Sequence, residues 1–398
     1  MSDVLGSNFR ESNRLRILEV LLRHPSRSRA ELGRSLGLSR ATVTAVLSEL
    51  ERAGMVEQQS DGLTDERRKA IGRPPLQVSL APRAACAVGL DFGHRHVRAA
   101  VCDLGGAIIA QRWAESRVDE DPLGSFDLAR DLAMASLAEA NVAFDDVIGA
   151  GVGMAAPVDG RRGAVHTDGL LPDWAGLDPA RELESRLEMP VQVENDANAG
   201  AMGEHLFGAG RGVSDMLYVR LSAGVGLGLI LRDQPYRGVA GVAGEIGHTE
   251  AVSNGEICRC GNRGCLETIV SPVALADLLE RSRGEPTSVA RMLDLVRAGD
   301  RGAQRVVSDA GQAIGAALAA AVNLLNPSLV IIGGELAEAG EVLLTPIRAA
   351  ITRSAIAPAA ASMRVVAGDL GSRAEVLGAA TIQLARAPEA LANRLVAA

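Results

Sequence analysis

One imidazole and three thiols fall on a single short stretch: His248, Cys258, Cys260 and Cys265, spaced H-x9-C-x-C-x4-C within residues 245–267, EIGHTEAVSNGEICRCGNRGCLE. Four soft or borderline donors on one loop suit a closed, structural zinc site of the Cys3His type, with no coordination position left for catalysis. Gly261 and Gly264 lie between the sulfurs, where tight turns must bring the loop back on itself. A chance cluster of free thiols would have no use for them. Glu245 and Glu267 flank the loop. Two carboxylates beside a rigid loop can hold a polyhydroxylated ligand, each accepting from more than one hydroxyl. The other two thiols, Cys86 and Cys102, sit in apolar, strand-like runs and read as inert core residues, so no disulfide framework is expected.

The chain has 398 residues, enough for two or three domains, and its 47% hydrophobic and 23% charged content is that of a soluble globular protein. No run of about 18 apolar residues occurs and the N-terminus lacks the apolar centre of a signal peptide; a cytoplasmic protein with no membrane partner is expected. The net charge of −8 hides an asymmetry, because residues 1–83 hold 14 Lys+Arg against 10 Asp+Glu and the remainder 27 against 39. A polyanion partner therefore belongs to the basic N-terminal end. Lys69 is the only lysine, which excludes any mechanism that needs one deeper in the chain.

That basic end has the pattern of a DNA-binding head. Leu15, Leu18 and Leu22, widened by Ile17 and Leu21, predict an amphipathic helix over 13–24, stopped by Pro25. Ser28-Arg29-Ala30-Glu31 is a capping box opening a second helix through Leu36, and Gly37 permits a sharp turn to Ser39, a further N-cap. The third helix, 40–53, turns Val43, Val46, Leu47 and Leu50 to one side and ends at Gly54. This is a helix-turn-helix, whose last helix would enter the major groove. Ser39, Arg40, Thr42 and Thr44 near its N-terminal end are the candidate DNA contacts, with Ala41, Ala45 and Ser48 allowing close approach. Residues 55–59 and 76–80 alternate like strands and are joined by an arm with Arg67, Arg68, Lys69 and Gly72-Arg73-Pro74-Pro75. The arm reads as a wing, with Arg73 stiffened by prolines for a narrow minor groove. A helical protein-interaction module with a basic loop is the competing reading.

From residue 84 onward, apolar strands broken by glycine turns alternate with Ala- and Leu-rich helices, so the class is α/β. Strands are expected over 84–90, 96–101, 107–110 and 148–154, and a helix over 126–140. A last helix, about 378–398, is expected from the Ala/Leu-rich C-terminal stretch that begins at Arg373 and runs to Leu395, and would return to the first lobe.

Three motifs here act together: Glu194-Asn195-Asp196-Ala197-Asn198, Glu245-x-Gly247-His248, and Cys265-Leu266-Glu267. On these the chain resembles the ROK family (repressors, open reading frames, kinases) over essentially all of residues 84–398, and the preceding head is the arrangement of its repressor branch. The resemblance implies a two-lobed, actin-like body of the sugar kinase and Hsp70 superfamily, with lobes expected at 84–198 and 199–377 after a head at 1–83. It also implies that Asn195, Asp196, Glu245, His248 and Glu267 contact the hydroxyls of a hexose-like ligand. His248 would serve both metal and sugar, one ring nitrogen each. Read locally, Asn195 and Asp196 would merely cap a helix beginning near Ala197.

Against a kinase, the family's first phosphate turn resembles D-x-G-G-T-K, where this chain has Asp91-Phe92-Gly93-His94-Arg95-His96. The second resembles G-T-G-x-G-G-G, where it has Ser222-Ala223-Gly224-Val225-Gly226-Leu227-Gly228. Bulky residues occupy positions where backbone must approach a phosphate closely, although Asp196 matches the kinase base. The expectation is a sugar-responsive transcriptional repressor, not an enzyme, that binds operator DNA as a homodimer or homotetramer, with a sugar effector and a structural zinc. The alternatives are an ATP-dependent sugar kinase carrying a DNA head, and a regulator controlled by a protein partner.

Overall fold

The computed structural model of the protein describes residues 2–24, 26–59, 76–159, 164–165 and 171–397. Its N-terminal part packs α1 (Ser2–Arg23), α2 (Arg29–Leu36) and α3 (Arg40–Arg52) against a small antiparallel sheet. In that sheet β3 (Gln77–Leu80) lies between β1 (Arg27–Ser28) and β2 (Val56–Gln59). The capping box forms as read: Ser28 Oγ accepts from the Glu31 amide, and the Ser28 amide donates to Glu31 Oε2. Gly37 ends α2 in the left-handed conformation (φ +66°) and frees the chain to turn into the Ser39 cap. Ile17, Leu18, Leu21, Leu32, Val43, Leu47 and Leu50 form its core. The wing arm, Arg73 included, lies outside the described residues.

Two five-stranded sheets make up the body. In the first, β4 (Cys86–Phe92), β5 (His96–Asp103) and β6 (Ile108–Glu115) run as an antiparallel meander; β7 (Val147–Met154) and, after the short ladder of β8 (Val158–Asp159) and β9 (Ala164–Val165), β10 (Val191–Asn195) add in parallel. The second repeats the plan with β11 (Met216–Leu221), β12 (Val225–Leu231), β13 (Gln234–Pro235), β14 (Leu329–Gly333) and β15 (Arg364–Ala367). The orders are β10-β7-β4-β5-β6 and β13-β12-β11-β14-β15, the same topology twice. This is the two-lobed, actin-like arrangement.

Each lobe is covered on its outside. Helices α4 (Pro122–Ala140) and α5 (Pro179–Leu187) pack with the first sheet, where Phe92, Phe126 and Trp174 meet edge to face with centroids 5.1–6.3 Å apart. The second sheet is covered by α7 (Pro272–Arg283), α8 (Val289–Arg297), α9 (Arg301–Leu325) and α10 (Glu341–Ser354). Between the lobes run α6 (Asp196–Phe207) and α11 (Ala374–Leu384). Glycines bring α11 this close: a Cβ on Gly151 would stand 1.9 Å from Ala379 O, and one on Gly378 1.7 Å from Ala199 O. Burial pushes the Cys86 thiol up to about 11 and that of Cys102 higher still, so both are inert core groups.

The C-terminal stretch departs from its sequence reading. It divides into α11, which packs on the first lobe, and a separate α12 (Ala387–Ala397), which touches that lobe at Ile148 and through Arg394 at Asp145 and Asp146 but also reaches the head. Ala387 and Leu391, fully buried, complete the core of the N-terminal head beside Ile17 and Leu21. An Ala/Leu-rich run has apolar residues on every face, so its periodicity could not reveal the break or the two destinations.

Candidate functional site

The cysteine loop closes as a small hairpin. Cys258 donates its amide to Asn262 O, Gly264 its amide to Glu256 O, and both Gly261 (φ +88°) and Gly264 (φ +71°) are left-handed. His248 arrives from a 3-10 turn, Ile246–His248. The imidazole and the three sulfurs put one donor atom each within 4.8 Å of one another. His248 Nδ1 faces Cys258 Sγ at 3.6 Å, and Cys260 Sγ stands 3.7 Å from Cys265 Sγ. This donor set can hold a metal ion. The other ring nitrogen, His248 Nε2, points toward Glu245 Oε2 at 3.8 Å.

Beside this loop lies a cleft between the lobes, lined by Asn195, Asp196, Arg220, Glu245, His248 and Glu267 together with the glycine turn 224–226. All five residues expected to contact a ligand are thus brought together. Asn195 caps α6, its Oδ1 accepting from the Asn198 amide while Nδ2 donates to Ala156 O; capping and cleft lining coexist. Glu194 anchors the motif from behind: it accepts from Asn198 Nδ2 and pairs with Arg237 of the opposite lobe at 2.6 Å. Glu267 Oε2 accepts from the Val225 amide at 3.0 Å. Burial, with Asp196 and Glu267 nearby, pushes the Glu245 carboxyl up to about 7.

Sequence reasoning missed the residue at the floor. Arg220, buried in β11, sets Nη1 2.9 Å from Asp196 Oδ2 and Nε 3.2 Å from Glu375 Oε1, while Tyr218 donates to the same Glu375 oxygen at 2.9 Å. Burial works against the guanidinium charge, but Asp196 and Glu375 outweigh it and raise its pKa. Burial also raises the Asp196 carboxyl; Arg220 opposes that and the Asp91 charge reinforces it. Asp196 Oδ2 is itself buried and, beyond its ionic contact with Arg220, has no hydrogen-bond partner among the described residues. The available signal was a lone arginine in the buried strand run MLYVRL.

Both glycine turns are occupied by side chains. The His96 ring folds over Gly93, where a Cβ would meet it at 2.3 Å, and Nε2 bonds Asp91 Oδ2 at 3.0 Å. Burial pushes the Asp91 carboxyl up, but His96, Arg220 and Arg98 hold it below its ordinary value. Arg259, from the cysteine loop, reaches His94 across the cleft.

In the head, Ser39 and Thr42 are joined by their hydroxyls at 2.8 Å in the α3 cap. Arg40 and Ala41 are exposed, and Thr44 is half-buried.

The sequence pattern of the ROK family matches residues 87–386, and that of winged helix-turn-helix DNA-binding domains matches residues 10–57. The chain is 27% identical to the xylose repressor of Caldicellulosiruptor bescii over 385 residues, covering 93% of this chain and 94% of that protein. Among solved structures, a ROK family transcriptional regulator homologous to the E. coli MLC protein superposes with a TM-score of 0.76 at 24% identity, covering 98% of this chain and all of that one. A ROK family glucokinase from Streptomyces griseus, solved with glucose and AMPPNP, gives 0.67 at 31% identity over 75% of this chain and 99% of that one.

Proposed function

The chain belongs to the ROK family, and from that premise we propose that it is a sugar-responsive transcriptional repressor in which the winged head binds operator DNA and the cleft binds a sugar effector. Asn195, Asp196, Glu245, His248 and Glu267 take the sugar hydroxyls. Arg40 and Thr44, with Arg73 of the wing and the capped Ser39–Thr42 end of α3, meet the DNA. Head, first lobe and second lobe divide near residues 83 and 198. Paired heads in a homodimer or homotetramer read two half-sites about one DNA turn, or a multiple of it, apart.

Zinc is the metal that the four donors suit. A tetrahedral ion with Zn–S bonds of about 2.3 Å spaces its sulfurs about 3.8 Å apart, close to the 3.7 Å between Cys260 and Cys265. Bound there, it braces the loop that carries His248 and leads into Glu267.

The observation that carries a sensor over a kinase is the buried contact of Asp196 with Arg220. A general base must take a proton from a substrate hydroxyl; burial raises the Asp196 carboxyl, but accepting that proton would cost it the buried ion pair with Arg220. Asp196 lines the cleft beside that pair, where a carboxylate suits a hydroxyl donor that is recognised and not consumed. The covered turns at Gly93 and Gly224 support the same reading.

A panel of neutral pentoses and hexoses, read as thermal shifts and then as release of operator DNA, tests the proposal. One or more sugars should raise the melting temperature and change DNA affinity. Sugar-dependent ATP consumption would instead make the chain a kinase with a DNA head, and DNA binding without any sugar shift would point to a protein partner.

A further inference from the structure

Two side chains from opposite lobes meet over the glycine turns. The Arg259 guanidinium, placed between two of the clustered cysteines, donates from Nη2 to His94 Nε2 at 3.2 Å, and its Nε lies 3.3 Å from Glu267 Oε1. Guanidinium has no acceptor, so His94 Nε2 carries the lone pair. The ring proton is then on Nδ1, which donates to Asp119 Oδ1 at 2.8 Å. An unbroken chain, Asp119 to His94 to Arg259 to Glu267, crosses the cleft. Gly224 locates it: a Cβ there would stand 2.9 Å from Glu267 Oε2, 3.3 Å from Arg259 Nη2 and 3.7 Å from His94 Nε2. The guanidinium therefore lies over the bare backbone of the second turn, in the space a backbone-cradled phosphate would need.

We propose that Arg259 is a specificity-determining residue that plugs this end of the cleft and restricts the effector to an uncharged, unphosphorylated sugar. The inference rests on the sugar-binding reading above and names the ligand class. Charge decides its direction. Around the ligand space stand Asp196, Glu245 and Glu267, with Asp119 at the edge, against Arg220 and Arg259. Each cation already faces a carboxylate, Arg220 with Asp196 and Glu375, Arg259 with Glu267. A phosphoryl group could enter only by drawing Arg259 away from Glu267, leaving that buried acid unpaired among other acids. A neutral polyol needs no such displacement, since its hydroxyls donate to carboxylates the arginines hold in place. Arg259 thus also positions Glu267 as a sugar acceptor.

The test compares D-glucose and D-xylose with D-glucose 6-phosphate and D-xylose 5-phosphate by calorimetry on the full-length protein. Wild type, Arg259→Ala and His94→Ala are each checked for metal content and melting temperature. Wild type should bind the neutral sugar at least about tenfold tighter than its phosphate, and the preference should shrink by about tenfold in both variants while metal content holds. His94→Ala leaves the cysteine loop untouched, so it reads the bridge even where Arg259→Ala disturbs that loop. A phosphorylated sugar binding wild type as tightly as the neutral one overturns the inference, as does an unchanged ratio in His94→Ala. Binding of none of the four to wild type removes the sugar reading itself, and this inference with it.

Discussion

Arg220 Nη1 lies 2.9 Å from Asp196 Oδ2, and the same guanidinium reaches Glu375 Oε1 at 3.2 Å. One buried cation thereby joins the first turns of α6 and α11, the two helices that run between the lobes. Arg220→Met removes the partner of two buried acids, with Asp91 close enough to be felt. Such a loss is worth about 3–5 kcal/mol. Urea unfolding should show the midpoint falling accordingly, and a variant within about 0.5 kcal/mol of wild type would mean that the acids are relieved in another way.

Asp196→Asn separates recognition from catalysis. An amide oxygen still accepts a hydroxyl but carries no charge for Arg220, so sugar affinity should fall by about tenfold or more while the protein stays folded. No ATP turnover should be present to lose. A wild-type rate of sugar-dependent ADP release that vanishes in the variant would assign Asp196 a base role.

How much of this was legible from the sequence depends on the range of the contact. The capping box at Ser28, the turn at Gly37 and the four-donor loop are set by neighbours a few residues apart, and spacing alone reveals them. The bridge from Arg259 to His94 spans 165 residues and that from Arg220 to Glu375 spans 155, distances over which no periodicity carries information. Helix α12 is the same case: its composition predicts a helix, but only the folded chain shows that Leu391 belongs to the head. Asn195 both caps α6 and lines the cleft, so the local reading of it as a cap does not compete with the reading of it as a ligand contact.

Loss of metal should be felt at the cleft. With Cys260→Ser, or after chelation, the hairpin from 256 to 265 loses its brace, and His248 and Glu267 lose their fixed positions. Metal analysis should fall from one ion per chain toward none, and sugar-dependent stabilisation should vanish with it. One ion retained per Cys260→Ser chain would exclude that cysteine as a ligand.

Arg40 and Arg73 test the DNA face through salt dependence. If each meets a phosphate, replacement by alanine should weaken operator binding across sequences and reduce the slope of log affinity against log salt by about one. Sugar affinity should stay unchanged, since no described residue of the head lines the cleft. An unaltered slope in Arg73→Ala would take the wing out of the DNA interface.

The head and the body share a core through α12. Leu391 is fully buried beside Ile17, Leu18 and Leu21, and Arg394 donates to Ala84 O at the junction between them. Only Ala385 and Arg386 separate α12 from α11, whose Glu375 meets the floor of the cleft through Arg220. A shift of α11 on ligand binding has a short, helical route into the head. Leu391→Ala should lower the stability of the head by about 2–5 kcal/mol and weaken operator binding, while the sugar-induced thermal shift of the body survives. Hydrogen exchange would then report loosened amides in α1 and α3 but unchanged protection in β11 and β14. Equal loosening of the second sheet would mean that head and body unfold as one unit, and that α12 transmits stability, not the effector signal.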